Sequence, residues 1–421
     1  MSQSAIVSKE KPQRLKLITS YGHVYRQIKS TEARDARPGE IPVIDISGIF
    51  RDSDAKNQVA REISSAAKDT GFFYIKNHGI SEDVIQAAVS SGKIFFGQPE
   101  DLKKQVHTSK SKFFNGWNDF SSIHYNEAEL PDNREYFAFK YDPRYDPSVA
   151  DLDSVPFDFR RCFKGEEWYW EQTAHIRGFK NSLLRYWQAN LTLARHLTRV
   201  FSLALDLPED YFDEKIRYPD AAATLNHCTT LPRPGETPNQ AEPRSDDIEP
   251  PSASELIENT GPDAVSVGTH TDLQLFIILW QDNQSGLQVL TRQGEWIKAD
   301  PVDGALGVNI ADYLMRITND RWMSTVHRVL HNRAGDRYSI PFFFGFNLNE
   351  TCGVLPSCVD EENPAKYDPI SCEDWLRRRF EKTIDREDDK LKAGVEDPGH
   401  VGTDQEGGPR PQRDLARLPR A

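Results

Sequence analysis

The 421-residue chain reads as a mainly β protein with supporting helices. Two observations carry this reading. Residues 265–346 break into short β-branched and aromatic runs divided by turn residues, the pattern of a sandwich or closed β architecture. Ahead of them, 165–206 sets Ile176, Phe179, Leu183, Trp187, Leu191, Ala194 and Leu197 at three- and four-residue steps, which predicts one or two long amphipathic helices packed on a sheet.

The elements follow in order. Residues 1–40 are polar and basic-leaning, with Pro12 and Pro38 as breakers, and predict a flexible arm. Ile41-Pro42-Val43-Ile44-Asp45-Ile46 alternates and predicts the first strand. Val59, Ile63 and Ala66-Ala67 give 55–69 a helical spacing, and Gly71 is well placed to stop it. Phe72-Phe73-Tyr74-Ile75 predicts a strand closed by the turn Asn77-His78-Gly79, in which His78 is structural. Ser81 predicts an N-cap for a helix running to about Phe96, with Glu82 and Asp83 in its first turn. Together these make 41–230 an N-terminal region with supporting helices.

From Pro232 to Pro262 prolines recur among acidic residues, so 231–264 is expected as an insertion loop, either a lid over a site or an untethered surface loop. Strands are predicted at 275–280, 287–291, 305–310, 325–330 and 337–346, within a core spanning 265–350. A helical segment at 351–384 and a disordered charged tail at 385–421 complete the chain.

Charge and cysteines narrow the function. Acidic residues outnumber basic ones by 65 to 52, a net charge of −13, which argues against nucleic-acid and anionic-membrane partners. No apolar run approaches the ~18 residues that span a bilayer. The five cysteines include no C-x-x-C pair, and the N-terminus lacks the apolar stretch of a secretory signal. A reduced, cytoplasmic protein acting on a small molecule is expected.

The sharpest chemical feature is His270-Thr271-Asp272. Residues i and i+2 of a strand share a face, so His270 and Asp272 can offer a nitrogen and an oxygen to one ion. His327, inside the apolar run Thr325-Val326-His327-Arg328-Val329, is the best third ligand; His331 competes but sits at the strand's end. Two imidazoles and a carboxylate form the facial triad of non-haem Fe(II) oxygenases, with open positions for co-substrate and O₂. Arg337-Tyr338-Ser339 supplies a second element. A guanidinium and a hydroxyl on one strand face make a receptor for the far carboxylate of a dicarboxylic keto acid. By itself Arg337 reads better as a surface ion pair, for example with Asp336 or a nearby acid.

With both elements present, the chain resembles the isopenicillin-N-synthase-like branch of the Fe(II)/2-oxoglutarate-dependent dioxygenases. The likeness runs through Gly268-Thr269-His270-Thr271-Asp272, Gly286-Leu287-Gln288-Val289, Val308-Asn309-Ile310-Ala311-Asp312, Ser324-Thr325-Val326-His327-Arg328-Val329 and Arg337-Tyr338-Ser339-Ile340-Pro341-Phe342-Phe343. It extends to the N-terminal Ile41-Pro42-Val43-Ile44-Asp45 and Gly71-Phe72-Phe73-Tyr74-Ile75-Lys76-Asn77-His78-Gly79. The resemblance implies a distorted jelly roll (a double-stranded β-helix) with an integrated N-terminal α/β region. It implies Fe(II) on His270, Asp272 and His327, with 2-oxoglutarate held by Arg337, Ser339 and Asn226. It also implies O₂-dependent oxidation of a small organic molecule, by hydroxylation, desaturation or ring formation, with succinate and CO₂ as co-products. A natural-product pathway is the expected setting. Tyr136 and Phe343 are the expected substrate contacts, although core packing explains Tyr136 as well. An isopenicillin-N-synthase-type oxidase without 2-oxoglutarate, and a non-catalytic binding module on the same fold, are the alternatives.

Two positions depart from the family pattern. Cys228 stands where relatives carry a tyrosine that helps hold the co-substrate, and reads as a small buried hydrophobe. Ala311 replaces a glycine, which implies that no positive φ is needed there.

Overall fold

The computed structural model describes residues 13–120, 126, 129, 131–229, 265–330 and 335–384. The 231–264 insertion with its expected lid, the competing His331 and the 385–421 tail lie outside the described residues.

Fifteen strands build the body of the molecule: β1 (Gln13–Thr19), β2 (Gly22–Ile28), β3 (Ala33–Arg34), β4 (Val43–Asp45), β5 (Phe72–Lys76), β6 (Gly116–Asn118), β7 (Glu135–Lys140), β8 (Ala221–Cys228), β9 (Val265–His270), β10 (Phe276–Gln281), β11 (Leu287–Leu290), β12 (Trp296–Lys298), β13 (Leu306–Ile310), β14 (His327–Leu330) and β15 (Arg337–Phe344). An eight-stranded sheet runs β4-β5-β13-β10-β15-β8-β7-β6, and a five-stranded sheet runs β3-β12-β11-β14-β9. The two sheets close on each other as a distorted jelly roll. Strands β4–β8 share the larger sheet with β10, β13 and β15, so the N-terminal region is built into the same body.

Alternation explains the layers. On β5, Phe73 and Ile75 join the core under the helices, whereas Phe72 and Tyr74 meet Val267, Leu287, Val289 and Val329 of the smaller sheet. On β15, Phe342 and Phe344 are fully buried on the helix side, and Phe343 takes the opposite face, half-buried.

The helices lie on the outer face of the larger sheet. Asp52 caps the helix Ser53–Asp69 by accepting from the Ala55 amide at 3.0 Å. Its exit needs Gly71 at φ +67°, because a Cβ there would sit 2.0 Å from the Met323 carbonyl oxygen. The predicted 165–206 helix is two pieces, Trp168–Gln172 and Phe179–Ala204, separated at Gly178 with φ +79°. The longer piece crosses the sheet, where Tyr186 donates to the Ile340 carbonyl at 3.1 Å and Phe201 packs edge-on against Phe276.

Three expectations need correction. Residues 13–28 are not a loose arm: β1 and β2 form a hairpin whose Leu15, Leu17, Val24 and Ile28 bury against Leu290, Trp296 and Val326. Each such side chain contributes roughly 1.5–3 kcal/mol when removed from water. The strand expected over 41–46 ends at Asp45, whose carboxylate accepts from the Ser47 amide at 2.8 Å and starts a short 3₁₀ turn. The 351–384 segment is α-helical only from Cys372; before that, Thr351–Cys352 pairs with Ile370–Ser371 around a short 3₁₀ turn at Pro356–Cys358.

Candidate active site

The site forms where β9 and β14 lie side by side. His270 and His327 are directly paired in the antiparallel register, with ring centroids 4.3 Å apart. Asp272 lies two residues beyond the end of β9. Its Oδ1 lies 3.7 Å from His270 Nε2, and its Oδ2 lies 3.6 Å from His327 Nε2. Donor atoms at these separations can share one ion bonded at about 2.1 Å. Among the described residues this is the single cluster of three or more His, Cys, Asp and Glu side chains close enough to hold a metal.

The backbone sets the ligand atoms. His270 Nδ1 faces the Gly268 carbonyl at 2.7 Å, and His327 Nδ1 faces the Thr325 carbonyl at 3.0 Å. A carbonyl only accepts, so each Nδ1 carries the proton and each Nε2 presents its lone pair to the cluster. Burial, reinforced by His327, holds the His270 imidazole well below the usual histidine range, so the ring stays neutral. Asn309 Nδ2 donates to Asp272 Oδ2 at 2.7 Å and fixes the carboxylate's angle. The ion would sit in a preset frame, and the neutral nitrogen and anionic oxygen donors suit Fe(II).

Strand β9 is itself clamped from its open side. Asp132 accepts from the Gly268 amide at 3.0 Å, and Glu129 accepts from the Thr269 amide at 2.6 Å and from the Thr269 hydroxyl. Burial raises the Glu129 carboxyl to about 6.

Across the interior, on the larger sheet, Arg337 is 1% exposed. Its guanidinium donates to Gln281 Oε1 at 3.0 Å and to Ser339 Oγ at 3.4 Å, while Nε has no hydrogen-bond partner among the described residues. A buried cation with an unused donor is suited to a carboxylate. Asn226 Nδ2 donates to Ser339 Oγ at 3.4 Å, so Arg337, Ser339 and Asn226 form one connected group. Cys228 pairs with Arg337 across β8 and β15, fully buried, its thiol pushed up by burial.

Arg134 was not anticipated. It is 7% exposed, donates to Asn226 Oδ1 at 2.6 Å and lies over the Tyr136 ring at 5.4 Å. In sequence it is one charged residue in a polar run, Asp132-Asn133-Arg134-Glu135. Only the β7–β8 register, which pairs Tyr136 with Asn226, brings it to this group. Tyr136 and Phe343 both lie on the interior sheet face. His78 accepts from the Ile80 amide at 3.2 Å inside its turn, and Ala311 sits at φ −115°.

A family model described as the non-haem dioxygenase in morphine synthesis N-terminal region matches residues 41–156, and one for the 2OG-Fe(II) oxygenase superfamily matches 251–346. The chain is 40% identical over 390 residues to the 2-oxoglutarate-Fe(II) type oxidoreductase ppzC of Metarhizium rileyi, spanning 92% of this chain and 99% of that protein. The chain belongs to the 2OG-Fe(II) oxygenase superfamily. It is accordingly an Fe(II)- and 2-oxoglutarate-dependent oxidoreductase that uses O₂. Another relative in this superfamily is the 2-oxoglutarate-dependent dioxygenase citB of Monascus ruber, 31% identical over 73% of this chain and 85% of its own length. The fold matches the crystal structure of a full-length Neurospora crassa protein in complex with alpha-KG, with a TM-score of 0.64 and 23% identity over 84% of this chain and 99% of that one. Among the described residues no helix is long and apolar enough to cross a membrane.

Proposed function

We propose that His270, Asp272 and His327 hold Fe(II), that Arg337, Ser339 and Asn226 hold 2-oxoglutarate, and that the enzyme oxidises a small organic molecule in a natural-product pathway in the cytoplasm. The convergence of His270 Nε2, His327 Nε2 and the Asp272 carboxylate, all within 4.8 Å of one another, carries this reading. The fungal relatives at 31–40% identity carry the same type of name.

When bound, iron, 2-oxoglutarate and O₂ supply the oxidant for an unactivated C–H bond, with succinate and CO₂ as co-products. The chain's own residues bind and orient. The two backbone carbonyls keep both Nε2 lone pairs aimed inward, and Asn309 stops Asp272 from rotating away. Arg337 and Ser339 take the far carboxylate of the keto acid, and Arg134 keeps the Asn226 amide oriented toward Ser339. Phe343 and Tyr136 form part of the wall against which the substrate lies. Orientation of the C–H bond then selects the outcome.

Iron retention tests the ligand set. Protein reconstituted anaerobically with Fe(II) and desalted should keep its iron as wild type and as His331→Ala, and lose it as Asp272→Asn or His327→Ala. Retention in His327→Ala with loss in His331→Ala would overturn the assignment.

A further inference from the structure

The interior face of the larger sheet carries two tiers, set by the strand register. One row, Gln281–Ser339–Asn226–Tyr136, pairs directly across β10, β15, β8 and β7 and contains the co-substrate group. A second row lies four residues further along each of these strands, about 13 Å away. It reads Asn309–Ile277–Phe343–Ala222–Lys140 across β13, β10, β15, β8 and β7. At one end Asn309 holds the metal-side carboxylate of Asp272. At the other end stands an amine.

Lys140 is out of place on that row. It shares its face with Tyr136 and Ala138, whereas Phe137 and Phe139 point to the helices and pack against Phe179 and Trp170. Its side-chain amine makes no hydrogen bond or ion pair with any described residue. Both nearby carboxylates are already engaged: Asp220 with Gln274 and, at 3.6 Å, with Lys164; Glu166 with Ser111 and Asn115. Burial and the neighbouring Lys164 lower its pKa to about 8. A half-buried amine without a partner, next to the apolar stretch Ala222–Phe343–Ile277, costs stability unless something else pairs with it.

We infer that Lys140 receives a carboxylate of the prime substrate, whose apolar body lies along Ala222, Phe343 and Ile277 toward the metal cluster. The substrate class is therefore a hydrophobic carboxylic acid. The row spans four strand spacings, about 19 Å along the sheet and less across its concave face. Recognition by a single ammonium rather than a guanidinium fork tolerates more than one carboxylate approach angle. This inference rests on the proposed iron and 2-oxoglutarate site only for the direction in which the substrate points.

The test uses matched acid and amide pairs, 3-phenylpropanoate with 3-phenylpropanamide and 2-naphthoate with 2-naphthamide. Each is titrated calorimetrically into the full-length protein, with and without Fe(II) and 2-oxoglutarate under anaerobic conditions. Wild type should prefer the acids by about tenfold or more, the effect of one charge-assisted hydrogen bond. Lys140→Met should reduce that preference to about twofold or less, with amide binding unchanged. In parallel, limited acetylation read by mass spectrometry should show Lys140 protected by the acids and not by the amides. Should Lys140→Met fail to fold, Lys140→Gln is read the same way. Equal binding of acid and amide, a preference that survives the substitution, or no protection by either acid overturns the inference. The Lys140→Met comparison separates binding at Lys140 from any binding of the acids at Arg337, and the metal-free titration does not use the iron site, so failure of the iron site would appear separately, as a missing keto-acid–iron absorption band.

Discussion

Arg337→Met isolates the co-substrate anchor from the metal cluster. Methionine fills the space of the arginine stem and removes all five donors. Among those lost are the bonds to Gln281 at 3.0 Å and Ser339 at 3.4 Å, together with the unpartnered Nε. Gln281 should keep its place, because its own amide donates to the Ala299 carbonyl at 3.1 Å. The bound keto acid loses at least one charge-assisted hydrogen bond, about 1.5–3 kcal/mol. At about 1.4 kcal/mol per factor of ten, that corresponds to roughly ten- to 150-fold weaker 2-oxoglutarate binding. The proposed metal ligands sit on or just beyond β9 and β14 in the other sheet, so iron retention should not change. The assay is an anaerobic titration of the Fe(II) protein with 2-oxoglutarate, following the visible charge-transfer band of the chelate. The same final absorbance, reached at roughly ten to 150 times the concentration, is expected. Half-saturation within about twofold of wild type, or loss of iron along with the band, would refute the reasoning.

Four further outcomes follow from single contacts. Asn309→Leu removes the hydrogen bond that orients Asp272 and should weaken Fe(II) binding about 10–100-fold in a competition titration, without unfolding the protein. Gly71→Ala forces a Cβ toward the Met323 carbonyl at positive φ and should lower stability by roughly 2–4 kcal/mol in urea unfolding. Leu17→Ala, in the hairpin core, should cost about 2–5 kcal/mol by the same measurement. Glu135 is buried, which raises its carboxyl, but hydrogen bonds from His227, Lys103 and Trp117 outweigh burial and hold it below its ordinary 4.5. Its stabilisation is therefore complete above that value and is lost as pH falls through the folded one. Glu135→Gln should lose about 3–5 kcal/mol at pH 7, and urea midpoints should show its gap from wild type narrowing as the solution is acidified.

Local patterns carried much of the architecture and the metal cluster, because each depends on a short-range rule. Alternation alone places His270 and Asp272 on one face, and the Phe342/Phe343/Phe344 split follows from the same rule. One helix start was readable from Ser81, although its side chain makes no capping bond, whereas Asp52, which does cap its helix, was not singled out. What escaped depends on pairing between distant segments. Arg134 and Lys140 sit in ordinary-looking sequence, and only the β7–β8 register turns them inward. The β1–β2 hairpin was missed for another reason. Leu15 and Leu17 alternate before Gly22, as do Val24 and Ile28 with Arg26 after it, but Arg14, Lys16 and Arg26 among them made the stretch look like a solvated arm. One of those charges is buried: Arg26 is 1% exposed.

The strand order also constrains how the chain can fold. β5 pairs with β13, and its neighbour β13 pairs with β10, so residues near 72 wait for residues near 310 before their edge is covered. Both ends of the larger sheet are made from early sequence and its centre from late sequence. The hairpin at residues 13–28 docks on Leu290, Trp296 and Val326, which leave the ribosome about 260–300 residues afterwards. Folding should therefore be slow and essentially post-translational, with the exposed edges of β5 and β8, which wait for β13 and β15, as the surfaces a chaperone would guard.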